Sequence, residues 1–337
     1  MYESDIQPRK LYGVQHLPLH APTEPTSTPN PALQQQTTQD SSSIMRQSTS
    51  FSFSTVQGYF LQDNPSTDPN TFDYAKSNFG LIDQLYGSEI KESADESQWQ
   101  KFGKEIQRLN SQAEPSTKYK VLFLGRHGEG VHNVAERRYG TKAWDEYWSL
   151  LEGDEYGTWA DARLTDVGIS QAKTARAVWE EQIGQGIPTP ESYYVSPLIR
   201  CCATAKVTFN ELGIPLTKPF QPVIKELLRE TLGEHTCDRR SSASIIAAEY
   251  PQYQFEADFT EEDLLWDPKT RESDEERNER LLRLLNDIFA SDDHVFLSLT
   301  AHSGAITSIL EVVGHRKFPL QTGGVIPVIV KAEENRF

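Results

Sequence analysis

Three short apolar runs, each ending in a charged or polar group and each followed by helix-like sequence, constrain this chain more than any other feature. Val121-Leu122-Phe123-Leu124 leads into Arg126-His127, and Tyr193-Tyr194-Val195 leads into Ser196-Pro197-Leu198-Ile199-Arg200. Val295-Phe296-Leu297-Ser298-Leu299 leads into Ala301-His302-Ser303-Gly304. Uninterrupted apolar runs bounded in this way suit strands covered on both faces, so the pattern predicts an α/β fold, a three-layer sandwich with a mostly parallel central sheet. Helices are expected from about Leu198 to Phe209 and from about Gly304 to Val313. Thr165 is placed to cap a helix that turns Ala172, Ala175, Val178 and Trp179 inward. Upstream, Trp99, Phe102, Ile106 and Leu109 recur at helical spacing between Ser97 and Leu109.

Before these runs the composition changes. From about Pro18 to Ser50 the chain is dense in Pro, Thr, Ser and Gln, and such a segment cannot bury enough apolar area to offset its ordering entropy. Residues 1–50 are therefore expected to form a flexible tail, and residues 51–337 a single catalytic domain. Aromatic residues from Phe51 to Tyr86 are expected to pack onto that domain as an irregular segment. The formal net charge of −16 repels polyanions, which argues against a nucleic-acid or anionic-membrane partner. The three cysteines, Cys201, Cys202 and Cys237, are too few for a disulfide framework and fit a reducing compartment. No run approaches the length of a membrane span, and the N-terminus lacks the apolar segment of a signal peptide. The cytoplasm, with access to the nucleus, is the expected location.

In open α/β sheets ligands bind beyond the carboxyl ends of the strands. Here those ends carry Arg126, His127, Arg200 and His302: two cations and two imidazoles in an otherwise acidic protein. Guanidinium forks donate paired, charge-assisted hydrogen bonds to phosphoryl oxygens. A neutral imidazole oriented through one nitrogen can attack phosphorus with the other, while surrounding cations stabilise the equatorial oxygens. The departing alkoxide needs a proton from a carboxylic acid. Glu230, in Leu-Leu-Arg-Glu-Thr-Leu-Gly-Glu-His, is the candidate, and Glu234 the reserve. No metal or other cofactor is required, and the expected partner is a small phosphorylated substrate.

At this point the motifs resemble those of a known family. Arg126-His127-Gly128-Glu129-Gly130-Val131-His132-Asn133 resembles the Arg-His-Gly-Glu-x-x-x-Asn signature of the histidine phosphatase (phosphoglycerate mutase-like) superfamily. Ala162-Arg163-Leu164-Thr165-Asp166-Val167-Gly168 is similar to its Pro-Leu-Thr-x-x-Gly helix start. Ser196 to Ala205 is similar to its Ser-Pro-x-x-Arg-x-x-x-Thr-Ala, and Thr300 to Gly304 to its second-histidine motif. The nearest branch is the fungal phosphomutase-like one, shared through Asn78-Phe79-Gly80-Leu81 and the stretch from Glu234 to Arg240. The resemblance implies the phosphoglycerate mutase-like fold, His127 as nucleophile, Arg126, Arg200 and His302 as the phosphate pocket, Asn133 as an aid to substrate binding, and Glu230 as proton donor. Arg239 and Ser303 are further candidates for substrate contact.

Departures narrow the expected activity. Phosphoglycerate mutases proper follow the acid with an Arg-His-Tyr-Gly type sequence, whereas here Glu230 is followed by Thr231-Leu232-Gly233. The acid phosphatase and phytase branch places Asp after the second His, whereas here Ser303 stands there. Hydrolysis of a phosphomonoester is therefore expected ahead of mutase action, with a catalytically silent phosphate-binding protein as a third alternative.

Other features receive plainer readings. His132, His235, Cys237 and His315 match no common zinc spacing and read as ordinary polar residues. Gly125, Gly128 and Gly130 do not form a dinucleotide pattern. Arg239 and Arg240 can meet a second charge on the substrate or pair with nearby acids. The run from Asp274 to Glu279, with Arg277, Arg280 and Arg283, reads as the exposed face of a helix whose buried face is Leu281, Leu284, Leu285 and Ile288. His315-Arg316-Lys317 reads as cations complementing a helix C-terminus. The insertions from Tyr139 to Ala160 and from Gly233 to Trp266 are expected to cover the pocket and set specificity.

Overall fold

A computed structural model describes residues 50–87, 95–215 and 217–335. But for Ser50, the expected tail lies outside the described residues. The strands are β1 (Phe51–Thr55), β2 (Thr117–Arg126), β3 (Gly153–Asp154), β4 (Gly157–Thr158), β5 (Ser192–Val195), β6 (Pro222–Ile224), β7 (Gln254–Phe255), β8 (Phe296–Ala301) and β9 (Val325–Glu334). The helices are α1 (Gln98–Ser111), α2 (Val131–Tyr139), α3 (Thr141–Glu146), α4 (Asp166–Gly184), α5 (Ile199–Phe209), α6 (Ala243–Glu249), α7 (Asp274–Ser291) and α8 (Ser303–Val312).

Seven strands form one sheet in the order β1-β9-β2-β8-β5-β6-β7. The pairs β2–β8, β8–β5, β5–β6 and β6–β7 are parallel, while β9 runs antiparallel to both β2 and β1. The fold is thus α/β with a mixed, mostly parallel sheet flanked by helices. The three apolar runs are β2, β5 and β8, which lie side by side, so their carboxyl ends share one edge.

Packing explains why both faces of these strands are apolar. On one face Leu122, Leu124, Leu297 and Leu299 pack with α7 and α8 through Leu281, Leu284, Ile288, Ile306 and Ile309. On the other, Val121, Phe123 and Tyr193 meet α1 and α4 through Trp99, Phe102, Ile106, Val178 and Trp179. Burial of these large side chains supplies roughly 1.5–3 kcal/mol each. The expected helices form at the expected places. Ser97 caps α1 by accepting from the Gln100 amide, and Thr165 caps α4 by accepting from the Gly168 amide. The segment after Phe51 is irregular and carries Phe60, Phe79, Leu81 and Tyr86 into the second core, but it begins with an edge strand, β1.

Two surface readings need correction. Arg277 and Arg280 are buried, not on an exposed face of α7. The Arg280 guanidinium donates to the Leu227, Arg229 and Glu230 carbonyls and to Glu272, while Arg277 donates to Ser308 and Thr231. His315-Arg316-Lys317 lies beyond the end of α8. There His315 is buried and its Nε2 lies 3.3 Å from Asp63 Oδ1, while Arg316 donates to the Thr67 carbonyl.

Candidate active site

The site is assembled at the ends of β2, β5 and β8. The β2 end delivers Arg126 and His127, and the His127 amide donates to the Ala301 carbonyl at the end of β8, which fixes the turn. Beyond it the chain must pass very close to α4. A Cβ at Gly128 would stand 2.3 Å from the Gly168 carbonyl oxygen, and one at Gly168 would stand 2.1 Å from the Glu129 carbonyl oxygen. Only glycine at both places lets the loop lie against the first turn of α4, which is the physical content of the Arg-His-Gly-Glu and Leu-Thr-x-x-Gly patterns. Thr204 on α5 adds a tie: its hydroxyl accepts from the Gly128 amide at 3.0 Å and donates to the Arg200 carbonyl at 2.7 Å.

His127 is 2% exposed, Arg200 1% and His302 0%. The His127 Nδ1–H donates to the Gly128 carbonyl at 2.7 Å. A carbonyl can only accept, so the proton is on Nδ1 and the lone pair is on Nε2. Burial, and then the Arg200 and Arg126 charges, hold His127 well below the usual imidazole range, so the ring is neutral at physiological pH. Its centroid lies 5.1 Å from that of His302. His302 Nε2 is 2.7 Å from Ser196 Oγ at the end of β5, and its ring is likewise held low, first by burial.

Arg200 sits in the first turn of α5, a poor place for a cation unless an anion balances it. The structure supplies that anion: Asp238, whose Oδ1 accepts from Nη2 at 2.9 Å, while the Cys237 carbonyl accepts from Nη1 at 2.6 Å. Burial opposes the charge, but Asp238 holds Arg200 above the ordinary guanidinium range. Arg126 donates from Nη1 to the Leu320 carbonyl at 2.6 Å. The Nε atoms of both arginines are sealed from solvent and have no hydrogen-bond partner among the described residues. Such donors are costly to leave unsatisfied.

Glu230 reaches the same place. Its Oε2 accepts from the Gly304 amide at 3.0 Å, in the first turn of α8, and its Oε1 accepts from the Thr231 amide at 3.0 Å. Its charge supports that of Arg126. Glu234 adopts a φ of 51° and its amide donates to the Asp267 carbonyl. Of the two acids, Glu230 is the one with a contact on the helix that follows His302.

The remaining candidates are placed as follows. Asn133 Oδ1 accepts from the Gly130 amide at 3.0 Å, closing the first turn of α2. It lines a cavity of about 480 Å³ beside Arg126, together with Glu129, Arg137, Thr141, Gln321 and Thr322. Ser303 opens α8 and is partly exposed. Arg239 pairs with Glu152 at 2.6 Å and lies over the Trp266 ring, and Arg240 is buried against Glu226. Both thus engage the protein's own acids. The two insertions pack on each other: Thr236 donates to the Ser149 and Leu151 carbonyls, and Trp144, Trp159 and Cys237 share a small core.

Several contributors escape sequence reasoning. Arg280 and Asp161 are charged residues in a chain full of them, and Asp238 stands in the Glu234–Arg240 stretch with nothing in its spacing to assign it a role. Asp161 holds a φ of 40° while its carboxylate accepts from the Ile199 and Ser241 amides, joining the start of α5 to the second insertion. Ser196 and Thr204 were legible, since both stand in the Ser-Pro-x-x-Arg-x-x-x-Thr-Ala stretch. His235, Cys237 and Asp238 offer ligand atoms within 4.8 Å of one another. However, Arg200 and Arg271 already occupy the Asp238 carboxylate, and burial pushes the Cys237 thiol well up, against the thiolate a metal would need.

Comparison with known proteins gives the arrangement its family. The histidine phosphatase superfamily (branch 1) matches residues 122–322, a span that takes in all three strand ends and Glu230. A probable phosphoglycerate mutase of Arthroderma benhamiae is 58% identical over 284 residues, covering 84% of this chain and 85% of that protein. Phosphomutase-like protein 3 of Candida albicans is 35% identical over 282 residues, covering 83% and 80%. Among solved structures, a phosphoglycerate mutase from Thermus thermophilus aligns with a TM-score of 0.32 at 20% identity, over 61% of this chain and 91% of that one. With that family matching residues 122–322 and relatives 35–58% identical along more than four-fifths of its length, the chain belongs to the histidine phosphatase superfamily, branch 1.

Proposed function

We propose that the protein hydrolyses a small phosphorylated metabolite through a phosphohistidine at His127. The observation that carries this reading is the pair of buried, unpartnered guanidinium Nε donors on Arg126 and Arg200 beside a neutral imidazole whose Nε2 holds the lone pair. In the first step Nε2 attacks phosphorus in line with the ester oxygen, while Arg126, Arg200 and His302 face the charge on the equatorial oxygens. The P–O ester bond breaks as the P–N bond forms, and Glu230, protonated, gives its proton to the leaving alkoxide. In the second step the Glu230 carboxylate takes a proton from water, whose oxygen attacks phosphorus; the P–N bond breaks, its electron pair returns to Nε2 of His127, and inorganic phosphate leaves.

A second reading is favoured by the names of the relatives: a mutase, in which the phosphoryl group returns to another hydroxyl of the substrate. The two differ only in what accepts the phosphoryl group from His127. A rapid-quench experiment with a ³²P-labelled phosphomonoester should give an acid-labile, base-stable label in the wild type and none in His127→Ala. A wild type that carries no such label under any substrate tried would remove the mechanism. Steady release of inorganic phosphate without an isomeric product selects hydrolysis; isomer formation without net phosphate release selects the mutase.

A further inference from the structure

A third imidazole stands in the site with no role assigned to it. His132 lies in the first turn of α2, five residues after His127, and its ring centroid is 5.4 Å from that of His127. It is 8% exposed. Its Nδ1 is sealed from solvent and has no hydrogen-bond partner among the described residues. The Nδ1–Cε1 edge occupies the space in which residue 130 would carry a side chain: a Cβ there would stand 2.6 Å from Nδ1 and 2.7 Å from Cε1. Glycine at position 130 therefore makes room for this ring.

That placement fixes what the ring can do. With no acceptor at Nδ1, a proton there would be a buried, unsatisfied donor, so the favoured neutral tautomer carries its proton on Nε2. Burial and the Arg200 charge, with smaller contributions from His127 and Arg126, keep the ring neutral. The site thus holds a neutral N–H donor among the two guanidiniums and the nucleophile. The transferring phosphoryl group has three equatorial oxygens to satisfy. The Nε–H of Arg126 and that of Arg200 are buried with no partner among the described residues, and His302 commits Nε2 to Ser196.

We propose that His132 is a phosphate-contacting residue, its Nε2–H donating to an equatorial phosphoryl oxygen beside the two arginine Nε donors. This rests on the reading of the site as a phosphate pocket and deepens it. A neutral donor serves there better than a third cation, because it orients the oxygen without tightening the hold on the phosphate product. It also explains the coincidence of Gly130 and His132 in one loop, the first being small so that the second can turn inward.

The test uses the full chain and inorganic phosphate, titrated calorimetrically at neutral pH so that binding is read without turnover. His132→Phe keeps a ring of similar size and removes the donor, and phosphate affinity should fall about tenfold, as for loss of one hydrogen bond to a charged group. His132→Gln places an amide N–H near the position of Nε2 and should recover most of that loss, whereas His132→Asn, whose amide reaches only the position of Nδ1, should not. Unchanged affinity in His132→Phe, or equal weakening in all three variants, would overturn the donor role while leaving the phosphohistidine mechanism standing. A wild type that binds no phosphate would instead overturn the reading of the pocket itself, and this inference with it.

Discussion

Asp238 and the Cys237 carbonyl hold one N–H each on Nη2 and Nη1 of Arg200, and its buried Nε–H has no partner among the described residues. The pairing makes Asp238 a positioning residue for the phosphate pocket, because it decides which edge of the guanidinium faces His127. Both partners are almost wholly buried, and removing one partner of such a pair strands the other charge. Asp238→Ala is therefore expected to destabilise the protein by about 3–5 kcal/mol, read as a shift in the urea midpoint. Asp238→Asn, which can still accept one bond, should lose far less stability yet weaken phosphate binding as the Arg200 fork swings. Equal stability of Asp238→Ala and wild type would show that the fork is held by something else. His127, Arg126, Arg200 and His302 were legible because strand ends and family motifs mark them. Asp238 was not, since a buried carboxylate in an acidic chain announces itself only through its partner.

At the scale of elements, the site depends on helices that contribute no side chain to the phosphate. Arg280, on α7, collects the carbonyls of Leu227, Arg229 and Glu230 and so fixes the loop that carries the proposed acid. Lysine cannot reproduce that planar fork. Arg280→Lys should slow the single-turnover phosphorylation of His127 by an alkyl phosphate about 10–100-fold, up to the lower end of what general acid catalysis supplies, and leave phosphorylation by a nitrophenyl ester, whose leaving group needs no proton, nearly unaffected. Equal loss on both substrates would mean the substitution disturbs the phosphate pocket rather than Glu230. The same scale shows why some elements were hidden. The helices α1 and α4 have period and side-chain caps in their own sequences, while α5 and α8 lack a side-chain cap and follow directly from apolar strand runs. Strand β9 contains Pro327, which argues against a central strand on local grounds. It forms because β1 and β2 pair with it on either side, and buried Gln62 donates to the Pro327 carbonyl at 2.9 Å. Arg277 and Arg280 were misplaced for a related reason: three-residue spacing of charges on α7 looks solvated until the Glu230 loop is laid across it.

For the whole molecule, the cost of the site should appear in the pH dependence of stability. His127, His132 and His302 are all held well below the ordinary imidazole range, first by burial and then by the Arg200 charge. In the unfolded chain each regains a pKa of about 6.5. Below that value the unfolded state binds protons that the folded state refuses, so stability rises with pH through this window and is lost as pH falls from about 6.5 towards 5. Each ring contributes a slope of up to about 1.4 kcal/mol per pH unit. Asp161, whose carboxyl is pushed up by burial, acts in the opposite sense nearer the carboxylate range, so a single protein's curve mixes the two. A comparison separates them. Urea unfolding of the wild type and His132→Phe between pH 5 and 7.5 should show the wild type losing stability more steeply with acid, by one ring's share, while everything common to both cancels. Parallel curves would mean that His132 titrates alike in the folded and unfolded chain. The buried neutral donor would then be untenable, and with it the view that this acidic protein keeps its phosphate pocket positive with arginine alone.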